Sequence, residues 1–211
     1  ADMMASNPRW CQSLQEWKNQ YDIWIKDPSP ESQLLSAIFF DYSYVYGDTE
    51  LVTQLSDNIL ETLDQNTMFY RVMAKDAIRS PSPLGFFRQF LVEEGGEHKD
   101  FFDIKSRGLM PLIDAARVLS LHHKLRNINN TAARFERLAE LEVNNKEIYE
   151  NCSYAFKAFL KFRTKQGILH GDSGRFIELA TLSKAEKLKL KRCFKPIQDI
   201  QEILTVRYQL K

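Results

Sequence analysis

Along most of this chain the apolar residues recur three and four positions apart, the spacing that gathers them on one face of an α-helix. Trp10, Leu14, Trp17, Tyr21, Trp24 and Ile25 form the first such stripe. Asn7-Pro8 precedes it as cap and first helical position, and Asp27-Pro28 stops it. Ser29-Pro30 opens a second helix through Leu34, Leu35, Ile38 and Phe39, and Asp48 caps a third through Leu51, Leu55, Ile59 and Leu63. Asn66 opens a fourth, with Phe69, Val72, Met73 and Ala77, that ends at Ser80-Pro81-Ser82-Pro83.

Between Leu84 and Met110 the helical period is lost and Gly85, Gly95, Gly96 and Gly108 punctuate the chain. Phe86 to Val92 and Phe101 to Ile104 read there as two short strands or as irregular segments around Glu94-Gly95-Gly96. Pro111 restarts a helix with Leu112, Ile113, Ala116, Leu119 and His123, another follows Asn130, and a long one runs from about Asn145 through Cys152, Phe156, Phe159 and Phe162. The last opens on Ser183-Lys184-Ala185-Glu186, a capping-box spacing, and Pro196 should kink or divide it. Seven or eight amphipathic helices with short connections predict an all-α bundle, because each apolar stripe needs another to bury it. The expectation is one domain over 1–211 with a short irregular or β-hairpin insertion around 84–110.

Composition narrows the function. A 44% hydrophobic content with 8 Gly and 7 Pro belongs to a globular chain, and 29 Lys and Arg against 28 Asp and Glu leave no global field for nucleic acid or an anionic membrane. The longest nearly apolar run, Leu34 to Phe40, falls far short of the roughly 18 residues of a membrane span. The start of the chain has no signal-peptide apolar region, so the expected compartment is the cytoplasm. Cys11, Cys152 and Cys193 are odd in number and lack CxxC spacing, which fits reduced packing residues. A first residue that is not Met suggests a piece of a longer chain.

Most motif-like features have ordinary readings. Gly171-Asp172-Ser173-Gly174 copies a serine-protease nucleophile segment, but between two helices it reads as a loop. The four histidines have no metal-pair spacing, and Lys184, Lys187, Lys189, Lys191, Arg192 and Lys195 read as the solvated face of the last helix, with weak anion binding as the alternative. Asp103-Ile104-Lys105-Ser106-Arg107-Gly108-Leu109-Met110-Pro111-Leu112 is more informative: it sets a carboxylate and two cations beside a glycine ahead of a helix. Such a place can receive phosphate, through the helix dipole and the cations, or it can be a turn ordered by Asp103 pairing with Lys105 or Arg107.

Several segments, in order, resemble a known family. They are Asn7-Pro8-Arg9-Trp10-Cys11, Ile38-Phe39-Phe40-Asp41, Val45-Tyr46-Gly47-Asp48, Met73-Ala74-Lys75-Asp76-Ala77, Pro83-Leu84-Gly85-Phe86-Phe87, Gly96-Glu97-His98-Lys99, and Asp103 to Leu112 followed by Asp114-Ala115-Ala116-Arg117. Together they resemble the nucleotidyltransferase substrate-binding domain family, itself similar to helical regions of protein-PII uridylyltransferases and glutamine synthetase adenylyltransferases. The sequence departs from that family at Tyr42-Ser43-Tyr44, where relatives often carry Phe-Arg.

The resemblance implies the substrate-binding and regulatory C-terminal domain of a bacterial signal-transduction nucleotidyltransferase. Its catalytic domain would lie upstream, CBS and cyclic-nucleotide-binding domains would be partners in cis, and a protein would be a candidate acceptor. Mg²⁺ and a nucleoside triphosphate are expected for the parent enzyme. The Gly-Ser…Gly-Arg phosphate loop and Asp-x-Asp pair of the catalytic half have no counterpart here, so this chain is not expected to transfer nucleotides by itself. Asp103, Lys105, Arg107 and Asp114 are expected to line the substrate face, with Glu97, His98 and Lys99 in a loop that closes over it. Two other readings are an interaction module that docks regulatory domains and a free-standing nucleotide-binding protein.

Overall fold

A computed structural model describes residues 6–79 and 90–210. The expected stop at 80–83, the Pro83 to Phe87 motif and most of the 86–92 strand lie outside the described residues.

Nine α-helices occur among the described residues, with one two-stranded antiparallel pairing. The all-α class is therefore as expected, with the β pairing as its small insertion. The chain divides into two compact units, 1–72 and 73–211.

The first unit holds α1 (Leu14–Lys26), α2 (Pro30–Phe39), α3 (Thr49–Gln65) and the start of α4 (Met68–Ile78). Asn7 caps only a 3-10 turn, Pro8–Trp10. A separate capping box of Ser13 and Glu16 starts α1, so the single helix expected from Asn7 is broken where Ser13 supplies its own cap. Ser29 and Asp48 cap α2 and α3 as expected, accepting from the backbone N–H groups of Ser32 and Glu50. The aromatic stripe is core: Trp10, Tyr21 and Trp24 are buried, and Trp10 packs 4.5 Å from the Phe39 ring. Asp22 fastens α1 to α3 by accepting from Asn58 (3.1 Å) and Thr62 (2.7 Å).

The second unit packs α5 (Met110–His122), α6 (Thr131–Leu141), α7 (Lys146–His170), α8 (Lys184–Arg192) and α9 (Lys195–Arg207). Ser183 and Glu186 form the capping box foreseen for α8, and the chain does divide before Pro196, which occupies the first turn of α9. Its core includes a ring cluster in which Phe194 lies 5.4 Å from Phe102 and 5.5 Å from Phe159.

Strand β1 (Phe101–Asp103) is where the sequence placed one, but it pairs with β2 (Phe176–Glu178), more than 70 residues on. Locally the chain also turns back, because Glu93 N–H donates to the Phe101 carbonyl (2.9 Å) and Asp100 N–H to that of Glu93 (2.9 Å). No helix among the described residues is long and apolar enough to cross a membrane.

Candidate functional site

The segment singled out from the sequence folds differently from a loop before a helix. Lys105–Leu109 forms a π-helical turn that runs directly into α5. The helix start therefore lies upstream of Gly108, and the expected N-terminus at Pro111 is corrected to the neighbourhood of Ile104. Gly108 is buried against α7, where a Cβ would come within 3.3 Å of the Phe159 ring. Its small size, not its flexibility, is what the packing uses.

Asp103 occupies the start of this turn and is buried. It accepts from the Ser106 N–H (2.9 Å) and hydroxyl (2.9 Å), and from Arg175 Nε (3.0 Å) and Nη2 (2.7 Å). Burial would raise its carboxyl pKa, but the Arg175 and Ser106 bonds outweigh that and hold it below the usual carboxylate range. The bonds to Asp103 in turn raise Arg175. Asp103 is 5% exposed and Arg175 42%, so a buried carboxylate anchors a cation whose outer edge still faces solvent.

Phe176 extends the cluster into a small platform. The Arg175 guanidinium carbon lies 4.9 Å from its ring centroid, and His98 stacks on the same ring at 3.8 Å with an interplanar angle of 18°. The 97–100 turn is thus docked by His98, while Glu97 and Lys99 are exposed. Lys105 is exposed, and Arg107 sits 3.5 Å from Glu93. Asp114 pairs along α5 with Arg117 (3.0 Å). The structure therefore brings Asp103, Ser106, Arg175, Phe176 and His98 together, with Lys105 and Arg107 on the adjoining turn. Arg175 and Phe176 were not foreseen, and no local spacing could have found partners more than 70 residues away.

A second polar cluster was also missed. The Glu142 carboxylate accepts from Asn145 Nδ2 (2.7 Å), Tyr149 Oη (2.7 Å) and Arg207 Nη2 (2.7 Å), and it is bonded to His123. Burial pushes this carboxyl up, but the Arg207, Asn145, Tyr149 and His123 bonds together hold it far below the ordinary range. Arg207 and Asn145 also border an open groove of about 450 Å³ with Ile148, Asp199, Glu202, Ile203 and Val206. Because Glu142 joins the ends of α5, α6 and α9 to the start of α7, the cluster acts as a clasp for four helices.

The protease-like Gly171-Asp172-Ser173-Gly174 segment is a loop, as expected. Gly171 ends α7 in the left-handed conformation, Asp172 accepts from the Gly174 N–H (2.7 Å), and Arg163 donates to the Ser173 carbonyl (3.0 Å). Cys152 and Cys193 are buried, Cys11 is exposed, and none of the three is in a disulfide.

Fold and site together define a helical domain with an anchored cation and an aromatic platform at its strand pairing. A family model described as "Putative nucleotidyltransferase substrate binding domain" matches residues 67–208, and one described as a nucleotidyltransferase matches residues 1–31. The chain belongs to the nucleotidyltransferase substrate-binding domain family. No curated protein and no solved structure matches it.

Proposed function

We propose that the Asp103–Arg175 cluster is the substrate-holding surface of this domain and binds the phosphates of a nucleoside triphosphate for a nucleotidyltransferase domain in cis. The observation that carries the reading is the geometry of Arg175: a buried carboxylate fixes one side of the guanidinium while the other side remains open. A cation held in this way can meet phosphate oxygens with less loss of side-chain freedom than a free surface lysine. Lys105 supplies a further exposed positive charge while Arg107 is paired with Glu93, and the His98 ring stacked on Phe176 offers a flat surface suited to a base or sugar. Signal transduction, CBS and cyclic-nucleotide-binding partners, and uridylyl or adenylyl transfer to an acceptor protein belong to the same proposal and rest on the resemblance.

The parent enzyme's Mg²⁺ does not fit the residues of this cluster. Its buried carboxylate is already taken up by Arg175 and Ser106, and no group of three His, Cys, Asp or Glu suited to a metal occurs among the described residues. The chain's own cations would neutralise the phosphate charge.

Replacing Arg175 and Lys105 with alanine tests this directly. Calorimetric titration with ATP and UTP should show affinity falling at least about tenfold, the scale of losing a charged hydrogen bond. Unchanged affinity in a variant with wild-type circular dichroism would remove these cations from the site. The interaction-module reading instead predicts no nucleotide binding at all.

A further inference from the structure

The near-neutral chain conceals a strong separation of charge. From Lys157 to Lys195 there are eleven Lys and Arg against three Asp and Glu, a net +8 in a protein of net +1. Residues 1–72, the first compact unit, carry four against eleven, a net −7. The two extremes fall on different units.

On the basic side the charge forms one surface. Helix α8 carries five cations in nine residues: Lys184, Lys187, Lys189, Lys191 and Arg192. It lies along α7, because Lys165 bridges Glu186 (2.5 Å) and the Lys189 ammonium lies 5.9 Å from the Tyr154 ring. The one acid of α8, Glu186, is committed to Lys165 and the Ser183 cap, whose bonds lower it to about 2. Lys161 on α7 and Lys184, Lys189 and Arg192 on α8 are exposed and make no ion pair among the described residues. Leu160 and Leu188 stand exposed beside them.

On the acidic side, α3 contains no Lys or Arg. Its Glu50, Asp57, Glu61 and Asp64 are exposed and, at spacings of seven, four and three, share one helical face. On the basic surface, Tyr154 is the one exposed Phe, Tyr or Trp among the described residues of α7 and α8, too few for a stacking path along a nucleic-acid strand, which such binding ordinarily uses. A helix face with complementary charge and some apolar contact is the better fit.

We propose that the basic α7–α8 surface of one copy receives the acidic α3 face of a second copy, so that the chain self-associates through charge complementarity. Each copy presents both faces, one on each compact unit.

Sedimentation velocity of the 1–211 chain tests the proposal. At low ionic strength the wild type should associate, and raising salt until the Debye length falls to about 3 Å should return monomer. Lys184→Glu/Lys189→Glu/Arg192→Glu should weaken association at least about tenfold, as should Asp57→Lys/Glu61→Lys/Asp64→Lys. Mixing the two variants should restore a heterodimer, because the reversed faces complement each other. Lys184→Gln/Lys189→Gln/Arg192→Gln gives the same readout should a reversal variant fail to fold. A wild type that stays monomeric at low salt overturns the proposal, also if it shifts poly(U) in its place. Association that the basic variants leave intact, or that mixing does not restore, overturns it too.

Discussion

At Gly174 the backbone leaves no room for a side chain. Its φ is +63°, and a Cβ there would come within 1.9 Å of the Arg163 carbonyl oxygen. Gly171, at φ +68°, has nothing within 4 Å. Gly174→Ala is therefore expected to cost more than about 3 kcal/mol, and Gly171→Ala only about 1 kcal/mol, the strain of a left-handed residue alone. Urea denaturation of the two variants checks the ordering, and equal losses would refute the steric account. Glu142 makes a different residue-scale case. Glu142→Gln leaves Arg207 half-buried without its counter-charge and should cost about 3 kcal/mol in the same measurement. The wild-type clasp also fixes a pH dependence. A lowered carboxyl is stabilising above its unfolded value of 4.5, and that contribution is lost as pH falls below it. His122, lowered by burial and by Arg207 and His123, acts in the same direction: below 6.5 the unfolded chain takes up a proton that the folded chain resists. Melting temperature should therefore begin to fall below about pH 6.5 and fall more steeply below about pH 4.5, and Glu142→Gln should remove much of the steeper phase.

Helix boundaries are legible where a polar side chain that caps the backbone within three residues stands at the edge of an apolar stripe. Ser29, Asp48, Asn130 and Ser183 were all read from the sequence, and each accepts a backbone N–H at the start of its helix. Ser13 and Glu16 carry the same signal, but it was hidden inside an aromatic stripe that continued across it. Ser183→Ala should lower stability by about 1 kcal/mol, the usual worth of such a cap; a loss under about 0.3 kcal/mol in chemical denaturation would show that α8 is held by packing alone. What escaped the sequence is the element whose partner is remote. The 101–103 strand could be proposed from β-favouring residues, but nothing local points to 176–178 as its neighbour. The π-helical turn was missed because Gly108 reads as a break, while its actual role depends on the Phe159 ring of another helix.

At the scale of the whole chain, periodicity was sufficient for the fold class, since a helix with one apolar stripe has few ways to bury it. The candidate site was half legible. Asp103, Lys105 and Arg107 could be chosen because charge beside a helix start is unusual, but the helix start expected at Pro111 lies near Ile104. The residue that turns Asp103 from a turn-former into an anchor, Arg175, comes from the far side of α7 in sequence. Charge balance likewise concealed the basic and acidic surfaces, because a net of +1 averages over both. The central proposal is that this domain holds a nucleoside triphosphate through its own cations. Calorimetric titration of the wild-type chain with UTP and ATP, with and without Mg²⁺, tests it most directly. Saturable binding of at least one nucleotide that persists without the metal is the predicted result, and the absence of heat with both nucleotides under both conditions would contradict it.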